Sequence, residues 1–346
     1  MKLSDFTFDL PAELVAQKPS GTRGDDRLMR LSRADGSVSH YAMADLPGLI
    51  APGTLMVFND SRVRRSRCYG IKETSGREQE FMFLRRAVSG GDAWRVMVRG
   101  AKKVRPGDTF RFADGSVGTI VDCDGDAGTE FRTIRFPFLV QEDWFARNGH
   151  IPLPPYIRRE DDDTDSDRYQ TVYARQTGSA ACPTAGLHFT EAMLERLAAN
   201  GIELAWVTLH VGLGTFLPVR TENIEDHRMH EESYTVAPDV AEKINRAKRE
   251  GRAVLAVGTT SVRTIESASD DSGIVRGGTG STRIFMYPGY RFKVVDQLFT
   301  NFHTPESTLL MLVSAFAGRD AVLNAYRIAV AERYRFFSYG DAMLIQ

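Results

Sequence analysis

Cysteine is scarce in this chain, and what there is lies scattered. Cys68, Cys123 and Cys182 are the three cysteines among 346 residues, and none belongs to a CxxC pair. That argues against a disulfide framework or a structural zinc site and points to a reducing compartment. Long apolar runs are also missing, since the longest, at 309–317, is far short of a membrane span. The opening MKLSDFTFDLPAEL is too acidic and too interrupted for a signal peptide, so a cytoplasmic location is expected. Neither sign of charge dominates: Lys+Arg 44 against Asp+Glu 45 gives a net charge of −1, which excludes a nucleic-acid polycation and leaves only a local patch for RNA. Nucleotide-loop signatures are incomplete. No Gly-Lys-Ser/Thr follows Gly258-Thr259-Thr260-Ser261, so it is no Walker A loop, and Leu217 occupies the third glycine position of a would-be GxGxxG beginning at Gly212. HExxH and GxSxG are absent, and Cys182 has no local catalytic partner. No internal repeat appears.

What is there is an ordinary globular composition, 42% hydrophobic and 26% charged, in a chain long enough for two domains. It is organised around residues 178–216, which open GSAACPTAGLHFT and close TLHVGLGTF. Two histidines, His188 and His210, fall there in loops of small residues. Thr190 can cap a helix whose apolar residues Met193, Leu194, Leu197 and Ala198 recur at helical spacing. Residues 202–211 read as a buried strand that delivers His210 into the turn Gly212-Leu213-Gly214-Thr215. Functional side chains of α/β proteins gather where strands end and loops begin.

The rest of the chain divides by texture. Residues 1–60 are mixed, with a short helix at 11–16, a hairpin around Ala34-Asp35-Gly36 and a buried strand at 54–58. That strand runs into Asn59-Asp60-Ser61, which is either a site or a plain turn. Between 61 and 150, six short alternating segments (68–72, 80–84, 94–98, 109–112, 117–121 and 131–136) are separated by turn signals at 89–92, 106–108 and 124–126. With no convincing helix among them, they predict a small antiparallel barrel or sandwich. Its basic residues, Arg62, Arg64, Arg65 and Arg67 together with Lys102, Lys103 and Arg105, are candidates for contacting a polyanion. Strand alternation would put Arg65 and Arg67 on one face and Arg62 and Arg64 on the other. The stiff stretch Ile151-Pro152-Leu153-Pro154-Pro155-Tyr156 leads into residues 160–167, almost wholly acidic and read as a mobile surface loop. Residues 151–346 then show a βα pattern: helices at 238–250, 309–316 and 320–333, strands at 253–257 and 282–287, and a final strand within 334–345. The expected architecture is a larger α/β domain of 1–60 and 151–346 with an inserted β-barrel domain at 61–150.

Gly258-Thr259-Thr260-Ser261 at a strand-to-helix junction is a cradle for a carboxylate or phosphate, through backbone N–H groups and hydroxyls. His188, His210, His227, His230 and His303 all lie in or near loops. His227-x-x-His230 with Glu231 lacks a further ligand at helical spacing, so no metal is expected, and histidines beside hydroxyls suit proton transfer.

Long strings carry a resemblance. FND at 58–60, IPLPPYIRR at 151–159, RYQTVYA at 168–174 and PTAGLHFT at 183–190 resemble one family, as do TLHVGLGTF at 208–216 and AVGTTSVRTIES at 256–267. TNFHTPESTLLMLVSAFAG at 300–318 and YRFFSYGDAMLI at 334–345 complete the match. The family is S-adenosylmethionine:tRNA ribosyltransferase-isomerase, of the queuosine pathway, and the resemblance covers essentially the whole chain. Leu213 and Cys182 stand where family members usually carry alanine, and the barrel around 64–84 diverges most. The resemblance implies transfer and isomerisation of the ribosyl group of S-adenosylmethionine onto 7-aminomethyl-7-deazaguanine at the tRNA wobble position, giving epoxyqueuosine with release of adenine and methionine. S-adenosylmethionine is then a consumed co-substrate rather than a recycled cofactor, the anticodon region of tRNA is the partner, and a monomer that binds no membrane is expected.

The sulfonium acidifies the C5′ protons, so a base must take one, adenine must leave with a proton, and the aminomethyl group must be neutral to attack. His188 and His210 are the first candidates for these transfers, followed by His303 and Asp341. Thr184, Gly186, Gly212, Gly214, Thr215, Gly258, Thr259, Thr260, Ser261 and Arg263 are the candidates for holding S-adenosylmethionine, and the basic residues of the barrel for holding tRNA. A metal-dependent α/β hydrolase and a non-catalytic tRNA-binding protein are the rival readings.

Overall fold

Residues 1–87, 92–122, 130–212 and 219–346 are described by a computed structural model. A single 3₁₀ turn at Ala12–Leu14 stands where the sequence suggested a short helix. Strands β1 (Arg27–Leu31) and β2 (Val38–Ala42) form the expected antiparallel hairpin. The one-turn helix α1 (Leu46–Leu49) leads to β3 (Leu55–Asn59), all of whose residues are buried. Alternate side chains of β3 serve two cores: Leu55 and Val57 pack in one, Met56 and Phe58 in the other. A strand covered on both faces reads as an unbroken apolar run, as this one does.

After β4 (Ser61–Val63) the chain enters the barrel. Its strands are β5 (Arg67–Lys72), β6 (Glu78–Arg86), β7 (Ala93–Val98), β8 (Thr109–Arg111), β9 (Val117–Asp122) and β10 (Phe131–Arg135). They hydrogen-bond in the order β5-β6-β7-β10-β9-β8, and pairing of β5 with β8 closes the ring. All six are the segments expected from the alternation, with small shifts at their ends. Closure leaves no free edge, which answers the aggregation hazard of exposed strands. The interior is aromatic, and α2 (Glu142–Asn148) stops one end. The Phe83 ring lies 5.3 Å from Trp144 and 5.4 Å from Phe145, both on α2, while Trp144 Nε1 donates to Ser116 Oγ at 2.9 Å. The short β11 (Gly149–His150) then adds to β5, and a Cβ on Gly149 would fall 1.8 Å from the Arg65 carbonyl oxygen, so only glycine fits. The turn expected at 89–92 lies, but for Asp92, outside the described residues, and the one at 124–126 lies wholly outside them.

The acidic stretch that follows is anchored to the body at Asp165. Within it α3 (Asp165–Arg168) buries Asp165 completely. Arg159 donates to both carboxylate oxygens at 2.6 and 2.8 Å, and the Tyr339 hydroxyl adds a bond at 2.7 Å. The arginine that neutralises Asp165 lies just before the tract. The returning chain forms β12 (Gln176–Ser179), which pairs parallel with β4.

The second half builds the α/β body. Thr190 caps α4 (Glu191–Ala199), its hydroxyl accepting from Met193 N at 3.1 Å. Next come β13 (Glu203–Leu209), β14 (Glu232–Val236), α5 (Pro238–Arg249), β15 (Val254–Val257), α6 (Thr259–Ala268), β16 (Gly278–Thr282), β17 (Gln297–Asn301), α7 (Thr308–Ala317), α8 (Arg319–Ala331) and β18 (Ala342–Ile345). Nine strands lie side by side in the order β16-β14-β13-β3-β15-β17-β18-β1-β2, with β13, β3, β15 and β17 mutually parallel at the centre. Helices α5 to α8 pack on one face, α1 and α4 on the other. This is the expected α/β body with a β-barrel set into it. Two details differ. The edge strand is Gly278–Thr282 rather than 282–287, its GTGST sequence offering no apolar alternation; at Gly280 a Cβ would meet the Tyr234 hydroxyl at 2.7 Å. The central strand β17 and the strand β14 were not anticipated at all.

Candidate active site

The carboxyl ends of β15 and β17 and the start of α6 converge on a cleft of about 480 Å³. Open α/β sheets place their ligands at such strand ends. Of the residues singled out from sequence, Thr184, Gly258, Thr259, Thr260 and His303 line it, together with Asn301. Gly258 sits at φ +86 before α6, where a side chain would be strained. With glycine at that position no side chain among the described residues caps the helix, which leaves its first N–H groups to an anion. The Thr260 hydroxyl is buried without a partner among the described residues. Ser261 differs: its hydroxyl turns back to the Val257 carbonyl at 2.7 Å.

One turn further along α6, Arg263 is 3% exposed and bonds through Nη1 to the Glu232 carboxylate, while its Nε and Nη2 are buried without partners among the described residues. The other Glu232 oxygen, Oε1, accepts from Gly212 N at 2.9 Å and so anchors the chain just before residues 213–218. Gly214 and Thr215 lie outside the described residues. Gly186 is buried in the turn Thr184–His188, where a Cβ would fall 2.1 Å from the Tyr173 hydroxyl.

The structure puts the histidines in three different settings. His303 lines the cleft; burial pushes its imidazole down to about 3, and Nε2 lies 3.0 Å from Thr300 Oγ1. His188 stands behind the cleft, 2% exposed, with Nδ1 2.7 Å from Asp26 Oδ2 and Nε2 2.9 Å from Asn301 Nδ2. Burial works against the Asp26 charge, but hydrogen bonding from His188 and the nearby Arg335 hold its carboxyl below the usual range. His210 follows β13, half-buried, with Nδ1 unpartnered among the described residues. Burial, and then the Arg64 guanidinium, push it below the ordinary imidazole range, while Asp60 opposes them. Gly178, at φ +149, makes room for it: a Cβ there would lie 3.0 Å from His210 Cε1.

Asp341 is 2% exposed and holds the backbone, accepting from Arg27 N at 3.0 Å and Arg335 N at 2.7 Å. Of the trio at the end of β3, Asn59 ties that end to β13, its Oδ1 accepting from Leu209 N at 3.0 Å. Asp60 accepts from the Thr208 hydroxyl at 2.6 Å, and burial pushes its carboxyl up. Geometry thus adds Asp26, Glu232 and Asn301 to the residues found from sequence, and it favours the site reading of Asp60 in the trio at 59–61. Asn301 had a local signal in the Asn301-Phe302-His303 string. Asp26 had none, because its partner lies 162 positions away.

The basic residues of the barrel separate into committed and free. Residues 64–66 interrupt the strand between β4 and β5, so the alternation expected for the arginines does not hold across them. Arg64 bonds to both carboxylate oxygens of Glu142, at 3.0 Å each from Nε. Arg67 lies 3.2 Å from Glu80 Oε1 and donates to the Leu153 carbonyl at 2.9 Å. Arg65 is half-buried, with Nε unpartnered among the described residues. Arg62, Lys102, Lys103 and Arg105 are exposed. Among the described residues no three His, Cys, Asp or Glu side chains come together as a metal site, and His227 packs against Phe285 with ring centroids 5.3 Å apart.

Comparison with known proteins gives a consistent result. Residues 3–345 match the family model described as queuosine biosynthesis protein. The chain is 50% identical over 346 residues to the S-adenosylmethionine:tRNA ribosyltransferase-isomerase of Treponema denticola, with all of both chains covered. It is 52% identical over 347 residues to the Symbiobacterium thermophilum protein of the same name, again with both covered fully. A crystal structure of S-adenosylmethionine tRNA ribosyltransferase from Thermotoga maritima is similar at a TM-score of 0.57 and 33% identity, covering 99% of this chain and 100% of that one. From its N-terminal turns to its last strand, this chain belongs to the queuosine biosynthesis family.

Proposed function

We propose that the chain is an S-adenosylmethionine:tRNA ribosyltransferase-isomerase, acting as a cytoplasmic monomer on the anticodon region of tRNA. It moves the ribosyl group of S-adenosylmethionine onto 7-aminomethyl-7-deazaguanine at the wobble position and isomerises it, forming epoxyqueuosine and releasing adenine and methionine. The observation that carries this reading is the cleft at the start of α6, where an uncapped helix N-terminus and the unpartnered Thr260 hydroxyl supply what a substrate carboxylate needs, with the two unpartnered nitrogens of Arg263 one turn further along the same helix. S-adenosylmethionine enters as a consumed co-substrate.

Thr184, Gly258, Thr259, Thr260 and Arg263 hold its amino-acid end, while Gly186, Gly212 and Ser261 shape the loops and helix around it. His210, kept unprotonated near neutral pH and placed beside Asp60, is the group that takes a proton during the reaction. His303 serves as an oriented hydrogen-bonding wall of the cleft, since an imidazole pushed down to about 3 is a weak base. Asp341 fixes the backbone that closes the far side. Arg62, Lys102, Lys103 and Arg105 hold tRNA phosphates. No single helix among the described residues is long and apolar enough to cross a membrane.

The test is release of adenine from S-adenosylmethionine with unmodified tRNA, with tRNA carrying the aminomethyl base, and with no tRNA. Release is expected efficiently only with the aminomethyl tRNA. No release with that substrate would refute the activity, and rapid turnover by protein alone would refute the dependence on tRNA.

A further inference from the structure

Four side chains form one hydrogen-bonded row running into the cleft. Asp26 Oδ2 lies 2.7 Å from Nδ1 of His188, and Nε2 of the same ring lies 2.9 Å from Nδ2 of Asn301. The Phe337 carbonyl oxygen lies 3.2 Å from that same Asn301 atom. A carbonyl only accepts, so the atom must be the amide nitrogen, and His188 Nε2 must accept its second proton. The ring proton therefore sits on Nδ1 and is donated to Asp26. Asn301 Oδ1 is left as an acceptor, and the Thr184 hydroxyl, 3.1 Å away, donates to it.

Every bond in the row points the same way, ending on Asp26. His188 and Asn301 are each 2% exposed and Asp26 7%, so reversing one bond would set two donors or two acceptors face to face in a dry place. Thr184 has one proton, and the row takes it. Only lone pairs remain for the cleft that Thr184 and Asn301 line.

We infer that Thr184 and Asn301 form a specificity-determining pair, oriented by His188 as a positioning residue, which presents a hydrogen-bond acceptor to an N–H or O–H donor of the substrate. This rests on reading the cleft as the S-adenosylmethionine site. Three parts of that molecule offer such donors: the α-ammonium, the ribose hydroxyls and the adenine amino group. An acceptor fixed in this way rejects an analogue that lacks the donor, because its own lone pair is then buried unpaired.

The experiment uses the full chain and saturating aminomethyl tRNA with wild type, Thr184→Val, Thr184→Ser and His188→Gln. Each is assayed with S-adenosylmethionine and with analogues lacking the α-amino group, a ribose hydroxyl or the 6-amino group. Thr184→Val is expected to raise KM about tenfold with a smaller change in kcat, and Thr184→Ser to restore it to within about twofold. One analogue should lose about tenfold on wild type and nothing further on Thr184→Val, which names the donor recognised. His188→Gln, whose amide oxygen can still accept from Asn301, should keep that analogue preference. An active wild type in which Thr184→Val leaves KM unchanged, or in which every analogue loses equally on wild type and variant, overturns this inference alone. A wild type that releases no adenine overturns the activity and this inference with it.

Discussion

Arg263 and Glu232 form an ion pair, both side chains 3% exposed, that uses only part of the guanidinium fork. Nη1 reaches the carboxylate while Nε and Nη2 find no partner among the described residues. A buried donor left unpaired is costly, and a pair of adjacent N–H groups matches a carboxylate. Arg263→Lys keeps the charge opposite Glu232 but removes the fork. Its KM for S-adenosylmethionine should rise about tenfold, with the melting temperature held within a few degrees. An unchanged KM would mean that the unpaired nitrogens never meet the substrate.

Burial holds His303 at about 3, against 6.5 for an imidazole in water. The folded state keeps the ring unprotonated while the unfolded chain binds a proton below 6.5. Stability from this group is therefore complete above that pH and declines as the pH falls from 6.5 towards 3, by up to about 1.4 kcal/mol per pH unit. His303→Gln should flatten the acid limb of the melting-temperature profile. Parallel profiles for wild type and variant would count against it.

His210 offers a kinetic test of the junction. Replacing it with alanine should lower turnover by roughly a hundredfold if it is the proton acceptor, with tRNA affinity nearly unchanged. Burial is the main cause of its lowered range and the Arg64 charge the second. Arg64→Gln should thus raise its proton affinity and move the acid limb of the kcat/KM profile to higher pH. A limb that stays in place would separate His210 from the rate.

Lys102→Ala/Lys103→Ala removes two exposed charges that no ion pair holds among the described residues. The KM for tRNA should rise and its salt dependence flatten by about one unit of slope for each phosphate no longer neutralised, with kcat at saturation unaffected. Arg64→Ala should behave differently, because its Glu142 partner is left behind and the barrel loses a packed side chain. Equal salt slopes for wild type and the lysine pair would place the RNA elsewhere.

Much of the fold was legible because the residues repeat at the right spacing. Six alternating segments became a closed barrel, and apolar runs such as 55–58 and 254–257 became central strands. β17 escaped because Gln297-Leu298-Phe299-Thr300-Asn301 is short and framed by polar residues, and β16 because glycine and hydroxyl residues hide its alternation. In the site, the glycines and hydroxyls announced the start of α6. His188 was visible, but its role was not. A row of directed bonds depends on partners at 26, 301 and 337, and no local pattern carries that information. The ion pairs of Arg64 with Glu142 and of Arg67 with Glu80 were hidden for the same reason, since no local pattern links the partners.

The parallel pairing of β4 with β12 joins Ser61 to Gln176, more than a hundred residues apart. Closing so long a chain at random is entropically unfavourable, and the cost grows with the logarithm of the length enclosed. A folded barrel shortens the effective span by drawing its own ends together: Cys68 at one end pairs with Gly149 at the other. The barrel's antiparallel neighbours are close in sequence, so they can form without waiting for the large sheet. In a refolding experiment read by pulsed hydrogen exchange, amides of β5 to β10 should gain protection before those of β12. Synchronous protection would show instead that the two bodies assemble as one cooperative unit.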